Sequence, residues 1–564
     1  MAKQGLKKQT ETDDSLAKII SCLSKRKSFI LEAGAGSGKT RSLIETLKHI
    51  LLNEEGPLRK QNQQIVCITY TNVAKNEIIE RIENNPLVLV GTIHQFAWHA
   101  IKNYQKELAT EILEYNSKDT KKHISDLDKK IKDKKIEYSE YGRKFEEGQI
   151  THEDVIEFSN KLFEKYPKIL KIVADKFPYI FIDEYQDTEE RTVKMFLDGL
   201  LKTNESPVIG FFGDSMQNIY DVGIGQIPQE YIAKGVLELI TKEENFRCSE
   251  EVIKVLNNIR TGLQQKPAGK NLKGEVLFVD CNGSGNIADY EKVKNFLTTK
   301  KGWDINKTKI LLLTHKDIAN KAGYETLLKT YDKLSFGRDR LFKKDEVFSE
   351  FILNKLEVFV SLYENKKYSE FVTMLGKQGF IVRKHEDKVI IDNLMKDLIK
   401  LRESTNVKEV IGYVLKNNLL VKPDRMANFE DKLKMIPLPD DLLSKKDFHD
   451  TLMTVNYKEF IQVNKYIEGS TPYSTKHGVK GAEFDNVLIV IDDTSWNRFN
   501  FNDVFSGNTK NQNRFNMTQN LLYVCCSRSK NYLAVTSLSV LDNKAIIGIK
   551  NIFGHSNYKT VDQL

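Results

Sequence analysis

Chemistry is most clearly indicated in a glycine-rich stretch near the N-terminus, FILEAGAGSGKT, which covers residues 29–40. A short apolar run leads into the glycine-rich turn, and a helical pattern follows it. Glycines let backbone N–H groups face a phosphate, Lys39 can reach the β- and γ-phosphates, and the Thr40 hydroxyl can bind Mg²⁺. The N-terminal end of the helix adds a partial positive charge. The stretch therefore predicts a phosphate cradle made of Ala33, Gly34, Ala35, Gly36, Ser37, Gly38, Lys39, Thr40 and Arg41.

Acidic and amide side chains follow two further apolar runs. The run YIFI ends at Asp183 and Glu184, and the run PVIGFF ends shortly before Asp214 and Gln217. The carboxyl ends of parallel strands meet at one edge of a sheet, so these side chains should converge on the phosphate cradle. Asp183 is the natural Mg²⁺ partner of Thr40, and Glu184 can activate the attacking water. Gln217 can sense the γ-phosphate or orient that water.

Hydrolysis of a γ-phosphate also needs positive charge in the transition state. Arg247 in EENFRCSE and Arg528 in YVCCSRSK each lie beside apolar or aromatic residues. From these patterns alone, each arginine is equally well explained as the partner of a carboxylate.

Composition limits the class of protein. The chain has 564 residues, which suffices for about three or four domains. Its formal net charge of +8 weakly favours a polyanionic partner. The six cysteines are scattered without a CxxC pair, which indicates a reducing compartment. No apolar run approaches the roughly 18 residues that span a membrane, so we expect a cytoplasmic protein with no membrane partner.

Two regions differ in character from the sheet-forming segments. Residues 101–167 are rich in Lys and Glu with apolar residues at helical spacing, which predicts a helical insertion. A solvated coiled coil and a subdomain facing nucleic acid explain that insertion equally well. Residues 331–470 also read as amphipathic helices, and strand-like runs return at 487–491 and 532–536.

Eight motifs follow one another along the chain: AGAGSGKTR, ITYTNVAKNEIIERI, VGTIHQFA, FIDEYQDT, GDSMQNIY, ENFRCSEEV, STKHGVKGAEF and LLYVCCSRSK. In this order they resemble the motif set of superfamily 1A helicases of the UvrD/Rep/PcrA type. The resemblance implies an α/β fold with two RecA-like parallel-sheet motor domains, called 1A and 2A, and helical insertions 1B and a reduced 2B. The implied boundaries are 1–95 and 168–245 for 1A, 96–167 for 1B, 246–335 and 466–564 for 2A, and 336–465 for 2B.

The resemblance also assigns roles by position, with ATP and Mg²⁺ as cofactors. Lys39, Thr40, Asp183 and Glu184 would bind Mg-ATP and activate water, with Thr40 and Asp183 as the metal ligands. Gln217 would couple the γ-phosphate to DNA movement, and Arg247 and Arg528 would reach that phosphate from the second motor domain. Phe246 would stack on adenine and Glu483 would contact the ribose. The implied contacts to single-stranded DNA are Tyr70, Asn72, Thr92, His94, Phe96, Thr475 and His477.

The chain departs from this family at two motifs. After Tyr220 the family has an aromatic residue and an arginine that hold DNA, whereas this chain reads DVGIG from 221 to 225. Translocation could survive that loss while strand separation becomes weak. The glutamine that reads adenine is represented only by Gln9, whose spacing from the cradle is long. A compact chain of this kind also resembles the helicase-like subunits of bacterial anti-phage systems of the Gabija type.

The leading hypothesis is therefore an ATP-driven motor that moves 3′ to 5′ on single-stranded or forked DNA. The alternative is a nucleotide- and DNA-sensing regulatory subunit of a nuclease complex, which unwinds little by itself and has a separate nuclease subunit as its partner. An RNA motor is a third hypothesis, because single-strand platforms read DNA and RNA alike unless the 2′-OH is sensed.

Overall fold

The computed structural model describes residues 14–118, 123–139, 142–203, 206–219, 223–283, 287–377, 383–475, 478–494 and 497–564. Two parallel six-stranded sheets organise these residues, and helices cover the sheets and form two insertions. This architecture confirms the predicted α/β fold with two RecA-like domains. No helix within the described ranges combines the length and the apolar character needed to cross a membrane.

The first segment contains the strand and helix of the phosphate cradle. Its elements are α1 (Asp14–Ser24), β1 (Ser28–Ala33), α2 (Lys39–Lys60), β2 (Ile65–Ile68), α3 (Asn72–Arg81), β3 (Val88–Gly91) and α4 (Ile93–Ile101). All residues of β2 are buried, as expected of a parallel strand covered on both faces. The Thr71 hydroxyl accepts from the Ala74 N–H at the start of α3. At the start of α4, Thr92 and Gln95 form a capping box.

The first insertion is a largely helical unit whose apolar side chains share one core with a face of the first sheet. Its elements are α5 (Gln105–Lys118), α6 (Leu127–Ile131), β4 (Glu137–Tyr138), β5 (Gln149–Ile150), α7 (His152–Lys165) and α8 (Pro167–Lys176). The apolar sides of α5, α6 and α7 are buried in a cluster that continues into the face of the first sheet. The insertion is therefore packed against the motor domain and is not an isolated solvated coiled coil.

The next segment completes the first sheet. Its elements are β6 (Tyr179–Asp183), α9 (Glu190–Lys194), β7 (Val208–Gly213), α10 (Gln229–Ala233), β8 (Leu237–Lys242) and β9 (Glu244–Asn245). The strand order is β3-β2-β6-β7-β1-β8, with every pairing parallel. The cradle strand β1 lies between β7 and β8, and β6 is the neighbour of β7, so Asp183 and Asp214 end adjacent strands. The sequence analysis did not predict β8, an edge strand in which three of the six residues are exposed.

The second sheet is assembled from two separate parts of the chain. The first part contains α11 (Glu250–Ile259), β10 (Lys266–Pro267), β11 (Glu275–Asp280), α12 (Ile287–Thr299), β12 (Thr308–Leu312), α13 (His315–Ala322) and α14 (Glu325–Tyr331).

A helical insertion separates the two parts. Its helices are α15 (Gly337–Phe342), α16 (Val347–Phe351), α17 (Glu357–Glu364), α18 (Tyr368–Gly376), α19 (His385–Ser404), α20 (Val407–Lys416), α21 (Asp424–Leu433), α22 (Asp440–Thr454) and α23 (Lys458–Ile467). Inside this insertion Arg402 donates to both oxygens of Glu357, which also accepts from the Tyr457 hydroxyl. The hydrogen bonds among these three buried residues hold α17, α19 and the start of α23 together.

The second part contains β13 (Tyr473–Thr475), β14 (Phe484–Ile491), α24 (Phe501–Ser506), α25 (Gln512–Cys526), β15 (Ser529–Ser537), α26 (Asn543–Phe553) and β16 (Tyr558–Thr560). The strand order is β13-β12-β14-β15-β11-β16, again all parallel. The three-residue edge strands β13 and β16 were not predicted.

The strands of each sheet fall inside the segments predicted for 1A and 2A. The exact limits stay a prediction, because α4 continues past residue 95, where 1A was expected to end, and packs against both β2 and α7.

Candidate nucleotide and nucleic-acid site

The phosphate cradle is a loop of five residues between β1 and α2. Gly36 and Gly38 have φ angles of 71° and 81°, a left-handed conformation that L side chains rarely adopt. A Cβ atom at Gly36 would also lie 2.7 Å from the Arg247 Cβ and 2.8 Å from the Asn245 Oδ1. A glycine is therefore required at position 36 for two reasons. The turn needs a left-handed backbone there, and the segment that leads into the second sheet approaches too closely for a Cβ atom.

Asp183, the predicted metal ligand, ends β6 and is buried. Its Oδ1 atom is buried and has no hydrogen-bond partner among the described residues. Burial and the neighbouring Glu184 raise the pKa of this carboxyl to about 7. A buried carboxylate oxygen without a partner among the described residues fits Mg²⁺, which prefers hard oxygen ligands and keeps few protein contacts. Thr40, the second residue of α2, would supply a hydroxyl oxygen as the other predicted ligand. No group of three or more His, Cys, Asp or Glu suited to a metal occurs in the part of the chain that the structure describes.

Glu184, the predicted base, has a left-handed backbone with φ of 51°, which turns the chain sharply after β6. Burial raises the pKa of its carboxyl, but Lys39, Lys480 and the Gln186 amide outweigh burial, so the net shift is downward. The Gln186 Nε2 donates to Glu184 Oε2 at 2.6 Å. The two adjacent carboxyls thus have opposite pKa shifts, and Glu184 is the one held in the charged form that a base requires.

Gln217 and Arg528 meet across the two sheets. Gln217 lies in a turn after β7, is buried, and donates from Nε2 to Asp214 Oδ2 at 2.9 Å. Arg528 immediately precedes β15, is 1% exposed, and donates from its guanidinium to Gln217 Oε1 at 3.5 Å. Burial and the neighbouring Arg247 lower the pKa of Arg528 to about 10, which leaves it charged at neutral pH. The guanidinium is therefore directed across the gap towards the first motor domain.

The second arginine and the predicted nucleoside contacts lie beside the cradle. Phe246 donates its N–H to the Gly36 carbonyl at 2.9 Å. Phe246 is also 50% exposed, which agrees with a ring that stacks on a base. Arg247 donates from Nε to Glu483 Oε2 at 2.7 Å. Glu483 is thus the carboxylate partner of Arg247 here, and its contact with a ribose stays a prediction.

Two cross-domain contacts were missed by the sequence analysis. Lys480 forms a close ion pair with Asp187 and donates to the Gln217 carbonyl at 2.9 Å. Burial raises the pKa of Asp187 to about 6, although the Lys480 charge opposes that shift. Asp187 and Lys480 belong to the motifs FIDEYQDT and STKHGVKGAEF, which the sequence analysis had identified. Their pairing was not predicted, because the two residues are 293 positions apart.

The Tyr523 hydroxyl is the centre of the other missed contact. It accepts from the Ala35 N–H at 3.1 Å and from Arg260 at 3.0 Å, and it donates to Asp214 Oδ2 at 3.2 Å. One donated and two accepted hydrogen bonds saturate a hydroxyl. Arg260 also lies 3.6 Å from Asp214 and 3.8 Å from Glu32. This buried network joins α11 and α25 of the second domain to the cradle loop and to the strand end that holds Gln217.

Four of the predicted DNA contacts line one cleft of about 830 Å³. The cleft contains Tyr70, Asn72, Thr92 and His94. Asp183 lines the same cleft, so the candidate metal site and the candidate DNA site share a wall. Tyr70 is 52% exposed, whereas the Thr92 hydroxyl is used to cap α4.

Phe96 does not belong to this surface, and its predicted DNA contact is corrected. Its side chain is 2% exposed, and its ring lies 5.9 Å from Phe177 and 5.8 Å from Phe196. It faces the core because buried residues of α4 recur at helical spacing. Thr475 is largely buried and accepts from the Gly478 N–H at 3.0 Å, so it shapes a turn. His477, Gln9 and residues 221–222 of the DVGIG departure lie outside the described residues.

The two sheets and the site between them define a class of protein. A phosphate cradle ends one parallel sheet, and two arginines reach its surroundings from segments that belong to the second sheet. This is the arrangement of RecA-like motor proteins that bind a nucleotide between two domains.

Comparisons with known proteins agree with this class. The family profile of the UvrD/REP helicase N-terminal domain matches residues 14–146 and 137–227. Gabija protein GajB of Bacillus cereus (strain HuB5-5) is 27% identical over 96% of this chain and 98% of its own length. ATP-dependent DNA helicase PcrA of Staphylococcus aureus is 22% identical over 90% of this chain and 81% of its own length, as is PcrA of Staphylococcus epidermidis. These similarities confirm the resemblance of the chain to UvrD/Rep/PcrA-type helicases and to a Gabija protein.

Proposed function

We propose that this protein is an ATP-dependent motor that moves along single-stranded DNA. One observation carries the proposal: the Arg528 guanidinium contacts Gln217 across the two domains. A γ-phosphate held by Lys39 would complete that contact, so binding would draw the domains together and hydrolysis would release them. The charge stabilisation that such arginines supply is worth about 10³–10⁵ in rate.

The residues of the cradle support Mg-ATP as the nucleotide that the protein hydrolyses. Thr40 and Asp183 would hold Mg²⁺, which would neutralise charge that develops on the transferred phosphoryl group. Glu184 is charged and would accept the proton of the attacking water. Asp183 also lines the cleft that contains Tyr70. Closure of the domains around the nucleotide would therefore alter the cleft in which the DNA strand binds.

The proposed polymer along which the protein moves is single-stranded DNA, and the proposed direction of movement is 3′ to 5′. The direction rests on the resemblance to UvrD/Rep/PcrA helicases, and the substrate is supported by the similarity to an ATP-dependent DNA helicase. Forked duplexes with either a 3′ or a 5′ tail would test the direction. Comparing the ATPase stimulation by poly(dT) and poly(U) would test DNA against RNA.

The decisive experiment is the DNA-stimulated ATPase of Lys39→Ala and Glu184→Gln. Both variants should lose turnover, because the first removes a phosphate contact and the second removes the base. Exposed residues of α2 provide matched controls, Lys48→Ala and Glu45→Gln, which should keep full activity. Undiminished ATPase in Lys39→Ala or Glu184→Gln would refute the proposal.

A second candidate function is a regulatory subunit of a nuclease complex, with little unwinding of its own. It is favoured by the similarity to a Gabija protein, which extends over 98% of that relative, against 81% for PcrA. Processive unwinding by the isolated chain would favour the motor. Activity that appears only with a co-purifying nuclease would favour the subunit.

A further inference from the structure

Two buried amide side chains bind one carbonyl group of the phosphate cradle. Asn245 Nδ2 donates to the Ala35 carbonyl at 3.0 Å, and Gln265 Nε2 donates to the same oxygen at 2.8 Å. Asn245 is 0% exposed and Gln265 is 3% exposed. A carbonyl oxygen has two lone pairs, so these two donors saturate it. The sequence analysis assigned no role to either residue of this amide pair, although Asn245 belongs to the motif ENFRCSEEV.

The amide pair determines the direction of a backbone N–H group in the cradle. The Ala35 carbonyl and the Gly36 N–H belong to one planar peptide unit, in which the two groups point in opposite directions. Because both amides lie on the carbonyl side, the Gly36 N–H points away from them. It has no hydrogen-bond partner among the described residues, and Gly36 is partly exposed. A free N–H group in a glycine-rich loop is the donor that a phosphate requires.

Gln265 is fixed by the second motor domain. Asn257 Nδ2 donates to the Gln265 carbonyl at 2.9 Å, and the Gln265 N–H donates to Asn257 Oδ1 at 2.8 Å. Asn257 lies on α11, whose apolar side is buried in the core of the second sheet. The shape of the cradle loop in the first domain therefore depends on a side chain that the second domain holds in place.

The other end of the Gln265 amide indicates that its bond to the cradle has a purpose beyond packing. Gln265 Oε1 is buried and has no hydrogen-bond partner among the described residues. Burial of an unsatisfied oxygen is destabilising, and a leucine of similar size would avoid it. The bond from Nε2 to Ala35 is thus the interaction that explains an amide at this position.

Gly34 is matched to the same amide. A Cβ atom at this position would lie 2.3 Å from Gln265 Nε2 and 2.4 Å from Gln265 Cδ. Unlike Gly36, Gly34 does not have a left-handed φ angle, so its backbone conformation is open to other residues. Space for the Gln265 amide is therefore the reason for a glycine at position 34.

We propose that Gln265, together with Asn245, is a positioning residue for nucleotide binding, which holds the Gly36 N–H towards the phosphates. The proposal rests on the Mg-ATP part of the proposed function. It assigns the second domain a role in nucleotide affinity, in addition to the charge that Arg528 brings to hydrolysis. A defect in the amide pair should therefore weaken binding of the nucleotide, whereas a defect in Arg528 should slow its turnover.

The first test measures affinity and turnover separately in full-length Gln265→Leu. The Kd values of Mg-ADP and Mg-ATP, measured with mant-labelled nucleotides, should both rise about tenfold, as expected for one lost hydrogen bond to a charged group. The kcat at saturating ATP should stay within about twofold of the wild type, because Lys39, Glu184 and Arg528 are unchanged. The exposed neighbour provides the matched control, Gln264→Leu, which should keep both wild-type Kd values.

Thermal unfolding without nucleotide distinguishes positioning from a purely structural role. The Ala35 carbonyl keeps its bond from Asn245 in Gln265→Leu, so the melting temperature of the nucleotide-free protein should change little. Wild-type Kd values in Gln265→Leu, whatever its melting temperature, would overturn the positioning role.

A second variant tests whether Gly34 and Gln265 act through the same contact. Gly34→Ala should displace the Gln265 amide and weaken Mg-ADP binding as much as Gln265→Ala does. The double variant should bind no more weakly than Gln265→Ala, because the space for the added methyl group is then free. Losses that multiply would overturn the positioning role and leave the proposed function intact. Failure of the wild type to bind Mg-ATP would instead overturn the proposed function, and the positioning role with it.

Discussion

At the scale of single residues, the pKa values of two neighbouring carboxyl groups are shifted in opposite directions. Asp183 is buried and Glu184 is partly buried, and the pKa of Asp183 is raised whereas that of Glu184 is lowered. The difference arises because Lys39, Lys480 and the Gln186 amide favour the charged form of Glu184. Divergent pKa values in adjacent groups are a mark of distinct chemical roles. The pair is therefore suited to hold a cation with one carboxyl and to accept a proton with the other.

A histidine between the second motor domain and its insertion makes stability depend on pH. The His315 ring lies 4.7 Å from Phe342, and its Nδ1 is 3.3 Å from the Tyr466 hydroxyl. Burial lowers the pKa of His315 to about 4, Arg338 lowers it further, and Asp339 opposes them. The folded protein thus binds fewer protons than the unfolded chain between about pH 4 and 6.5. The His315 contribution is fully present above pH 6.5 and is lost as the pH falls towards 4.

The test compares urea unfolding of wild type and His315→Gln from pH 7.5 to pH 4.5. Other groups titrate in both proteins, so the difference in unfolding free energy isolates the imidazole. The wild type should lose stability faster, by at most about 1.4 kcal/mol per pH unit. Exposed His555→Gln is the control. Parallel pH profiles for wild type and His315→Gln would contradict the assignment.

At the scale of elements, the Tyr523 hydroxyl on α25 connects the cradle loop to the end of β7. Tyr523→Phe keeps the ring but leaves the Ala35 N–H and an Asp214 oxygen without that partner. Unsatisfied buried groups cost about 1–3 kcal/mol each. Because Asp214 also holds Gln217, we expect a several-fold lower kcat with a smaller change in KM for ATP.

The matched control for that variant is Tyr324→Phe. The Tyr324 hydroxyl is buried without a hydrogen-bond partner among the described residues, so its removal should not lower kcat. Steady-state ATPase and thermal unfolding of both variants separate a positioning role from a purely structural one. Equal kcat values in Tyr523→Phe and Tyr324→Phe would show that the network serves stability alone.

The elements show what a sequence can and cannot predict. Central strands such as β6 and β14 are continuous apolar runs, and the cradle has a glycine pattern, so both were predicted. The edge strands β13 and β16 have three residues each, too few for a periodic signal. Phe96 could have been placed correctly, because its neighbours in α4 are apolar at helical spacing.

Contacts between distant segments stayed hidden for a different reason. Ala35 and Tyr523 are 488 positions apart, and neither residue type indicates the other. Arg260 and Glu32 look like ordinary surface charges until the two sheets face each other. The motifs thus located the parts of the site, whereas the domain interface determined which parts meet.

At the scale of the whole molecule, a nucleotide bound between two domains should stabilise both. A ligand that binds only the folded state at 100 times its Kd adds about 2.7 kcal/mol to the unfolding free energy. Glu184→Gln can retain Mg-ATP without turnover, so this variant allows the measurement at equilibrium. We expect saturating Mg-ATP to raise its melting temperature in one transition, because the buried contacts of Tyr523, Arg260 and Arg528 cross the interface. Excess EDTA should remove much of that gain, since Asp183 would then face the phosphates without a cation. A rise confined to the first of two separate transitions would mean that the nucleotide contacts one domain only, and the coupling through Arg528 would be refuted.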